Sequence, residues 1–371
     1  MTNSEPIPKT ILIIALSGAG DMLMASPLIE ELHKSYPRAR IELLVQHGSL
    51  TKDLLQFNPK IQNILQFEFV EEGAMRSFLY CCKLRKTAYD ISINIYPQAR
   101  YHYSVVAYII GAKLRIGFSY DSQTANLNRI FFHRLINEDR QKHVVQNNLM
   151  ALSVLDLPLP ESVTTHLCSS DYSSTYADNY LAENNIQNFV VIHPGGGSMK
   201  NFYLKRWHPE RFVAVVKHLS QNMNLQVVIA GGNDENSLKQ LIIRKSYLEP
   251  GKQIFNLSTN IQNTAAVIKK SRLVIANDSL VAHLAAAVGT YVITLFGPSD
   301  QDHTGPYTLR SSFICNRPAT IKPYKHGSKN MSQQQGDCMN LITVEEVVRE
   351  AEKVLCIGKV SDSHSSTLVI D

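Results

Sequence analysis

Nowhere in this chain do about 18 apolar residues run together, so no membrane-spanning helix is expected. The first nine residues are polar, and the apolar run at 11–16 is too short for the core of a secretory leader, so the chain reads as cytoplasmic. Cysteine is sparse: six residues, none in a Cys-x-x-Cys pair, which argues against a disulfide framework and for reduced thiols. Tryptophan occurs once, and Trp207 is a candidate for the core. Charge is moderate in both signs. The chain has 37 Lys and Arg against 32 Asp and Glu, and a net +5 is too small an excess to argue for nucleic acid. It does suit an anionic substrate or an anionic membrane surface. The acidic residues suggest no magnesium-type cluster, so neither a metal nor a cofactor is expected. Internal repeats and low-complexity tracts are also missing.

What is present is an alternation. Apolar, strand-like runs at 11–16, 41–46, 63–67 and 91–95 are separated by amphipathic stretches such as 28–36 and 73–86. A helical pattern at 143–155 closes this half, and Pro158, Pro160 and the polar stretch 169–174 predict a linker. A second series follows, with strands predicted at 189–193, 225–230, 273–276 and 291–296 and helices at 209–220, 235–246, 264–270 and 279–288. Such alternation predicts βαβ units and parallel sheets, an α/β chain of two Rossmann-like domains. Residues 298–340 read as irregular. A helix is predicted at 343–355, with Thr343 and Glu346 spaced for a capping box, and a disordered tail from Gly358. The expected divisions are 1–170, 171–342 and a C-terminal helix and tail at 343–371.

The first strand runs into Ser17-Gly18-Ala19-Gly20-Asp21, which begins like a dinucleotide fingerprint. The third glycine of that fingerprint would stand at Leu23, and the second strand ends Val45-Gln46-His47 without the acidic residue that holds a ribose. A dehydrogenase is therefore disfavoured. Asp21, at the junction of strand and helix, is either a helix cap or a carboxylate base aimed at the ligand crevice. Gly18 and Gly20 would let substrate approach the backbone.

In the second half, His193-Pro194-Gly195-Gly196-Gly197 follows a strand, and successive glycines free N–H groups for an anion. Lys205 and Arg206 precede Trp207 and a helix start, where they suit phosphate. Glu235 ends the next strand region and would face a ribose or serve only the helix dipole. Asn277-Asp278-Ser279 precedes a further helix, with Asp278 or Asn277 as the expected cap. A helix start at Ser279 is a diphosphate cradle, and His283 lies one turn in on the same face.

In this order and spacing, from about residue 10 to 355, the motifs resemble glycosyltransferase family 9, the heptosyltransferases of lipopolysaccharide synthesis. Phe296-Gly297-Pro298-Ser299-Asp300 with Gly305-Pro306 completes the set. The resemblance implies a GT-B fold, two facing Rossmann-like domains with an interdomain active-site cleft, the acceptor on the first half and the nucleotide sugar on the second. It implies inversion at the anomeric carbon without a required metal. It assigns Asp21 as catalytic base, Lys205 to phosphate, Ser279 and its neighbours to the diphosphate and Asp278 to the transferred sugar. Gly196, Arg206, Glu235, Leu280 and His283 complete the expected donor site, and Ser17, Gly20, Arg100 and Arg115 the acceptor site, with Lys113 nearby. Leu280 departs from the family, which usually has glycine there. So does the late region, with only Cys315 and Cys338 where the family often has more cysteines. The expected partners are a nucleotide diphosphate sugar, probed by ADP-, GDP- and UDP-forms, and a glycan or glycolipid, with peripheral contact at the inner membrane. A nucleotide-sugar epimerase of the same fold and a non-catalytic nucleotide-sugar-binding protein are the rival readings.

Overall fold

Buried parallel strands need apolar side chains on both faces, and the runs at 11–16 and 189–193 supply them. In the computed structural model, which describes residues 7–46, 48–120, 125–197, 199–324 and 330–362, both are central strands. The chain divides into two units, Met1–Ser169 with Asp302–Tyr307, and Ser170–Gln301 with Thr308–Asp371.

The first unit is built on β1 (Thr10–Ala15), β2 (Arg40–Val45), β3 (Asn63–Gln66), β4 (Ile91–Asn94), β5 (Leu114–Ser119) and β6 (Arg134–Asn137), all parallel, in the order β3-β2-β1-β4-β5-β6. The second unit repeats this with β7 (Phe189–His193), β8 (Gln226–Ala230), β9 (Ile254–Leu257), β10 (Val274–Asn277), β11 (Val292–Phe296) and β12 (Ser311–Cys315), in the order β12-β11-β10-β7-β8-β9. Each sheet reverses its order once, between β1 and β4 and between β7 and β10. In a doubly wound sheet, ligands bind at the carboxyl edge of that switch point. The loops after β1 and β4, and after β7 and β10, are thus where chemistry belongs.

Several elements differ from the sequence expectation. Residues 169–174 are not a linker: Ser170 caps the Asp171–Glu183 helix, its side chain accepting from the Ser173 N–H at 3.1 Å. The stretch expected to be irregular holds β12 and the short Gln333–Asp337 helix. The Thr343/Glu346 capping box forms, with Thr343 N–H donating to Glu346 at 2.9 Å and Glu346 N–H donating back to the Thr343 hydroxyl at 3.3 Å. The Val344–Asp362 helix belongs to the second unit, where Val347, Ala351 and Leu355 enter a core with Trp207, Phe212 and Ile342. Residues 358–362, expected to begin a disordered tail, continue this helix, and the tail beyond 362 lies outside the described residues. No helix among the described residues is long and apolar enough to cross a membrane.

Candidate active site

The carboxyl edge of the second sheet gathers most of the residues singled out in that half. Asn277 ends β10 and is fully buried. Its amide donates to the carbonyls of Pro194 and Gly195 at 2.8 and 2.9 Å, and its oxygen accepts the Trp207 N–H at 3.0 Å. One side chain thus ties the β7 turn, the Lys205-Arg206-Trp207 segment and β10 together. It does not cap the helix that follows, and neither does Asp278. The cap position of the Leu280–Ala287 helix is Ser279, with no side-chain capping bond.

Asp278 turns instead to Lys205, whose Nζ donates to it at 2.5 Å, and to the hydroxyl of Ser299. Burial pushes this carboxyl up, but Lys205, Ser299 and the nearby His283 outweigh it and hold Asp278 below its ordinary value. Lys205 also lies 4.9 Å from the Phe202 ring centroid. The Arg206 guanidinium donates to the Gly196 carbonyl at 2.5 Å. The cation, the glycine turn and the helix start therefore share one edge.

Glu235 sits beneath the glycine turn. It accepts from the N–H of Gly196 at 2.6 Å and of Gly232 at 3.1 Å, and lies 3.0 Å from His193 Nε2. Burial raises this carboxyl, but His193 and the two N–H groups prevail and bring it down to about 2. The other ring nitrogen, His193 Nδ1, is 3.0 Å from the Ser279 hydroxyl. Glu235 and His193 are buried and lead to the part-exposed Ser279 at the helix start. Gly195 is required for this arrangement, since a Cβ there would stand 1.8 Å from Glu235 Oε1. Leu280 opens the helix partly buried, and His283 is buried one turn on.

In the first unit, Asp21 lies in the first turn of the Ala19–Met24 helix and accepts from the Gly18 N–H at 3.1 Å. It thus closes that turn while remaining part-exposed, and the Ser17 hydroxyl beside it is buried without a hydrogen-bond partner. Pro27 restarts the chain as a second helix, Ser26–Ser35. The loop after β4 reaches across the switch point. Gln98 donates to the Ile14 carbonyl at 2.6 Å and accepts from the Leu16 N–H at 3.4 Å. The Tyr120 hydroxyl accepts the Gln98 N–H at 2.7 Å. Arg100 begins the Tyr101–Ile110 helix, and both Arg100 and Asp21 act electrostatically on Tyr103. Arg115 is not brought to this edge. It lies near the start of β5, level with Ser92 and Leu12, donating to the carbonyls of Phe131 and Ala112. Lys113 is likewise paired with Asp90 at 2.8 Å.

Sequence reading missed Gln98, whose signal was only its place after a strand, and Asn277 in its clamping role. It missed Arg317, which donates to the carbonyls of Gly297 at 2.8 Å and Ser299 at 2.5 Å and so holds Ser299 against Asp278. It also passed over an Asp-x-Asp, Asp300-Gln301-Asp302. Among the described residues no group of three or more His, Cys, Asp or Glu is arranged to hold a metal ion.

Residues 80–333 match glycosyltransferase family 9 (heptosyltransferase). The chain is similar to lipopolysaccharide heptosyltransferase 3 of Escherichia coli, 27% identical over 295 residues, covering 78% of this chain and 84% of the relative. Among solved structures it is similar to a family 9 glycosyl transferase of Veillonella parvula, with a TM-score of 0.75 at 20% identity over 94% of this chain and 97% of that one. It is also similar to the E. coli ADP-heptose lps heptosyltransferase II, with a TM-score of 0.73 at 21% identity over 94% and 99%. These two likenesses carry the fold, α/β of the GT-B class.

Proposed function

The chain belongs to glycosyltransferase family 9 (heptosyltransferase), and we propose that it moves a heptose, with inversion, from ADP-heptose to a glycan acceptor such as the lipopolysaccharide inner core. The observation that carries this reading is the convergence of Lys205, paired with Asp278, and the Ser279 helix start on one sheet edge. A cation and a helix N-terminus are what a departing diphosphate requires. In this reading Asp21 takes the proton of the acceptor hydroxyl as its oxygen attacks the anomeric carbon. The bond to the diphosphate oxygen breaks, and the negative charge settles near Lys205, Arg206 and Ser279. Gly196 N–H is turned inward to Glu235, so Glu235 serves the shape of the turn. Ser17 and Arg100, at the edge of the first sheet, face the acceptor with Gly20, and Arg115 is left out of this set. The enzyme works at the cytoplasmic face of the inner membrane as a peripheral protein.

Calorimetry with ADP-, GDP- and UDP-sugars, followed by transfer assays, tests the donor. ADP-heptose is expected to bind best and to be consumed only with acceptor present. Preference for a UDP-sugar, or donor turnover without acceptor, overturns the reading. Asp21→Asn is expected to abolish transfer with donor affinity kept within a few-fold, as loss of a general base removes a factor of about 10²–10⁴ or more. An active variant removes Asp21 from the role.

A further inference from the structure

We infer that the helical layer of the first unit centred on the Gly73–Arg85 helix is a docking surface for an anionic phospholipid bilayer. The inference rests on the proposed peripheral membrane role but not on which sugar is moved. Two independent observations carry it, one of shape and one of charge.

A surface helix ordinarily carries one apolar stripe toward the core and a polar outer face. The Gly73–Arg85 helix carries two. Tyr80, Cys81 and Leu84 pack on the core of the first unit with Tyr103, Val106, Ala107 and Ile110. Met75, Phe78, Leu79 and Cys82, spaced three and four apart, fall on the opposite face. There Met75 is 72% exposed, Phe78 49% and Leu79 58%. Only Cys81 and Leu84 of the whole helix are buried. At 100° per residue, Lys83 flanks the outer stripe on one side, beside Arg76 with its Glu72 partner, Arg85 lies on the other, and Lys86 continues it. The apolar exposure continues on neighbouring helices, with Tyr108 on Tyr101–Ile110 and Ile130 on Ala125–Phe131. The Tyr101–Ile110 helix packs against both of the others.

The charge is as unevenly placed. Residues 73–134 hold nine Lys and Arg and two Asp, a net +7, whereas the whole chain is +5. All surplus positive charge is therefore in this one segment, and the rest of the chain is net negative. No acidic residue lies within any of its three helices. Some of these cations are engaged locally: Arg76 is paired with Glu72 at the N-cap of the first helix at 2.6 Å, Lys113 with Asp90, and Arg115 donates to backbone carbonyls. Lys83, Lys86 and Arg129 are the exposed cations on which the face rests. A basic face with an exposed Met/Phe/Leu stripe at its centre matches a bilayer interface, which takes cations at the headgroups and apolar side chains at the acyl boundary. Nucleic acid would use the charge and leave the stripe in water. A second copy of the chain would bury the stripe and bring the like charges together.

The test is co-sedimentation of the full chain with vesicles of phosphatidylcholine alone or with phosphatidylglycerol. Binding is expected only to the anionic vesicles, and is expected to weaken as salt rises, because exposed charges are screened. Met75→Ser/Phe78→Ser/Leu79→Ser and, separately, Lys83→Glu/Lys86→Glu/Arg129→Glu are each expected to lose about tenfold or more in vesicle affinity. Lys269→Glu in the second unit is expected to have no effect. All these side chains are exposed, so circular dichroism and thermal melts should match the parent, and the charge variant stands if the apolar one misfolds. Absent or charge-indifferent vesicle binding, binding unaffected by either variant, a lipid-free dimer broken by the serine variant, or tighter binding to an oligonucleotide than to vesicles overturns the inference. Vesicle binding without heptose transfer would defeat the proposed function and leave this surface standing. Transfer to a soluble acceptor without vesicle binding would do the reverse.

Discussion

Glu235 and Asp278 are buried carboxylates two strands apart, and different partners keep each ionised. For Glu235 the partners are His193 and two backbone N–H groups, which hold it near 2 against an ordinary 4.5. A carboxyl lowered on folding stabilises the native state at pH values above its unfolded value, and that stabilisation is lost as pH falls through the folded one. Its contribution is therefore complete above about pH 5 and disappears between about 4.5 and 2, and at neutral pH it amounts to roughly 3 kcal/mol. Glu235→Gln is expected to lower the unfolding free energy by about that much at pH 7. Urea titrations at pH 7, 4 and 3 should show the gap between variant and parent closing with acid, and a gap independent of pH would rule out this account. Donor KM is expected to rise as well, since His193 would lose the partner that orients it toward Ser279. The pattern of residues suggested a carboxylate at this place. It could not show that Gly195 leaves the space in which that carboxylate turns inward, because the contact spans 40 residues of sequence.

At the scale of elements, the edge proposed for the donor is three loops held by Asn277. Asn277→Ala would leave the Pro194 and Gly195 carbonyls and the Trp207 N–H buried without their partner. Each such orphan costs about 1–3 kcal/mol, so the expected loss is several kcal/mol together with weakened nucleotide binding. Differential scanning calorimetry and ADP titration check it, and a variant as stable and as tight as the parent would exclude the clamp. Strands that sequence reading recovered, such as β1 and β7, are nearly continuous apolar runs. Those it missed lacked that signature. β5 carries Arg115 and Gly117, β6 has a single buried residue, β9 is interrupted by the exposed Asn256, and β12 is an edge strand with no buried residue. Short or edge strands gain their order from neighbours, so local composition says little about them.

At the scale of the whole molecule, two sheets with one topology each present a switch point, and the proposed chemistry is divided between them. In the proposed mechanism, charge stabilisation of the diphosphate is assigned to Lys205, Arg206 and the Ser279 helix start. Transfer is therefore expected to continue in excess EDTA at an unchanged rate, as followed by ADP release. Loss of activity on chelation with recovery on added Mg²⁺ or Mn²⁺ would overturn that assignment, and Asp300 and Asp302 would then be the first carboxylates to substitute. The exposed stripe on the Gly73–Arg85 helix belongs to this scale too. Its apolar residues were visible in the pattern, but their exposure was not.

The sequence by itself determined the alternation of strand and helix, the two Rossmann-like halves and the ordered motifs from Asp21 to His283, because periodicity, glycine placement and helix-start residues are local properties. Tertiary structure alone decided which of these residues meet. It paired Lys205 with Asp278 across 73 positions and turned Glu235 onto His193. It made Asn277 a clamp instead of a cap, and kept Arg115 at the wrong end of its strand for the crevice. Those outcomes depend on sheet order and on which carbonyls and N–H groups burial leaves to be satisfied. Neither is encoded in the spacing of residues along the chain.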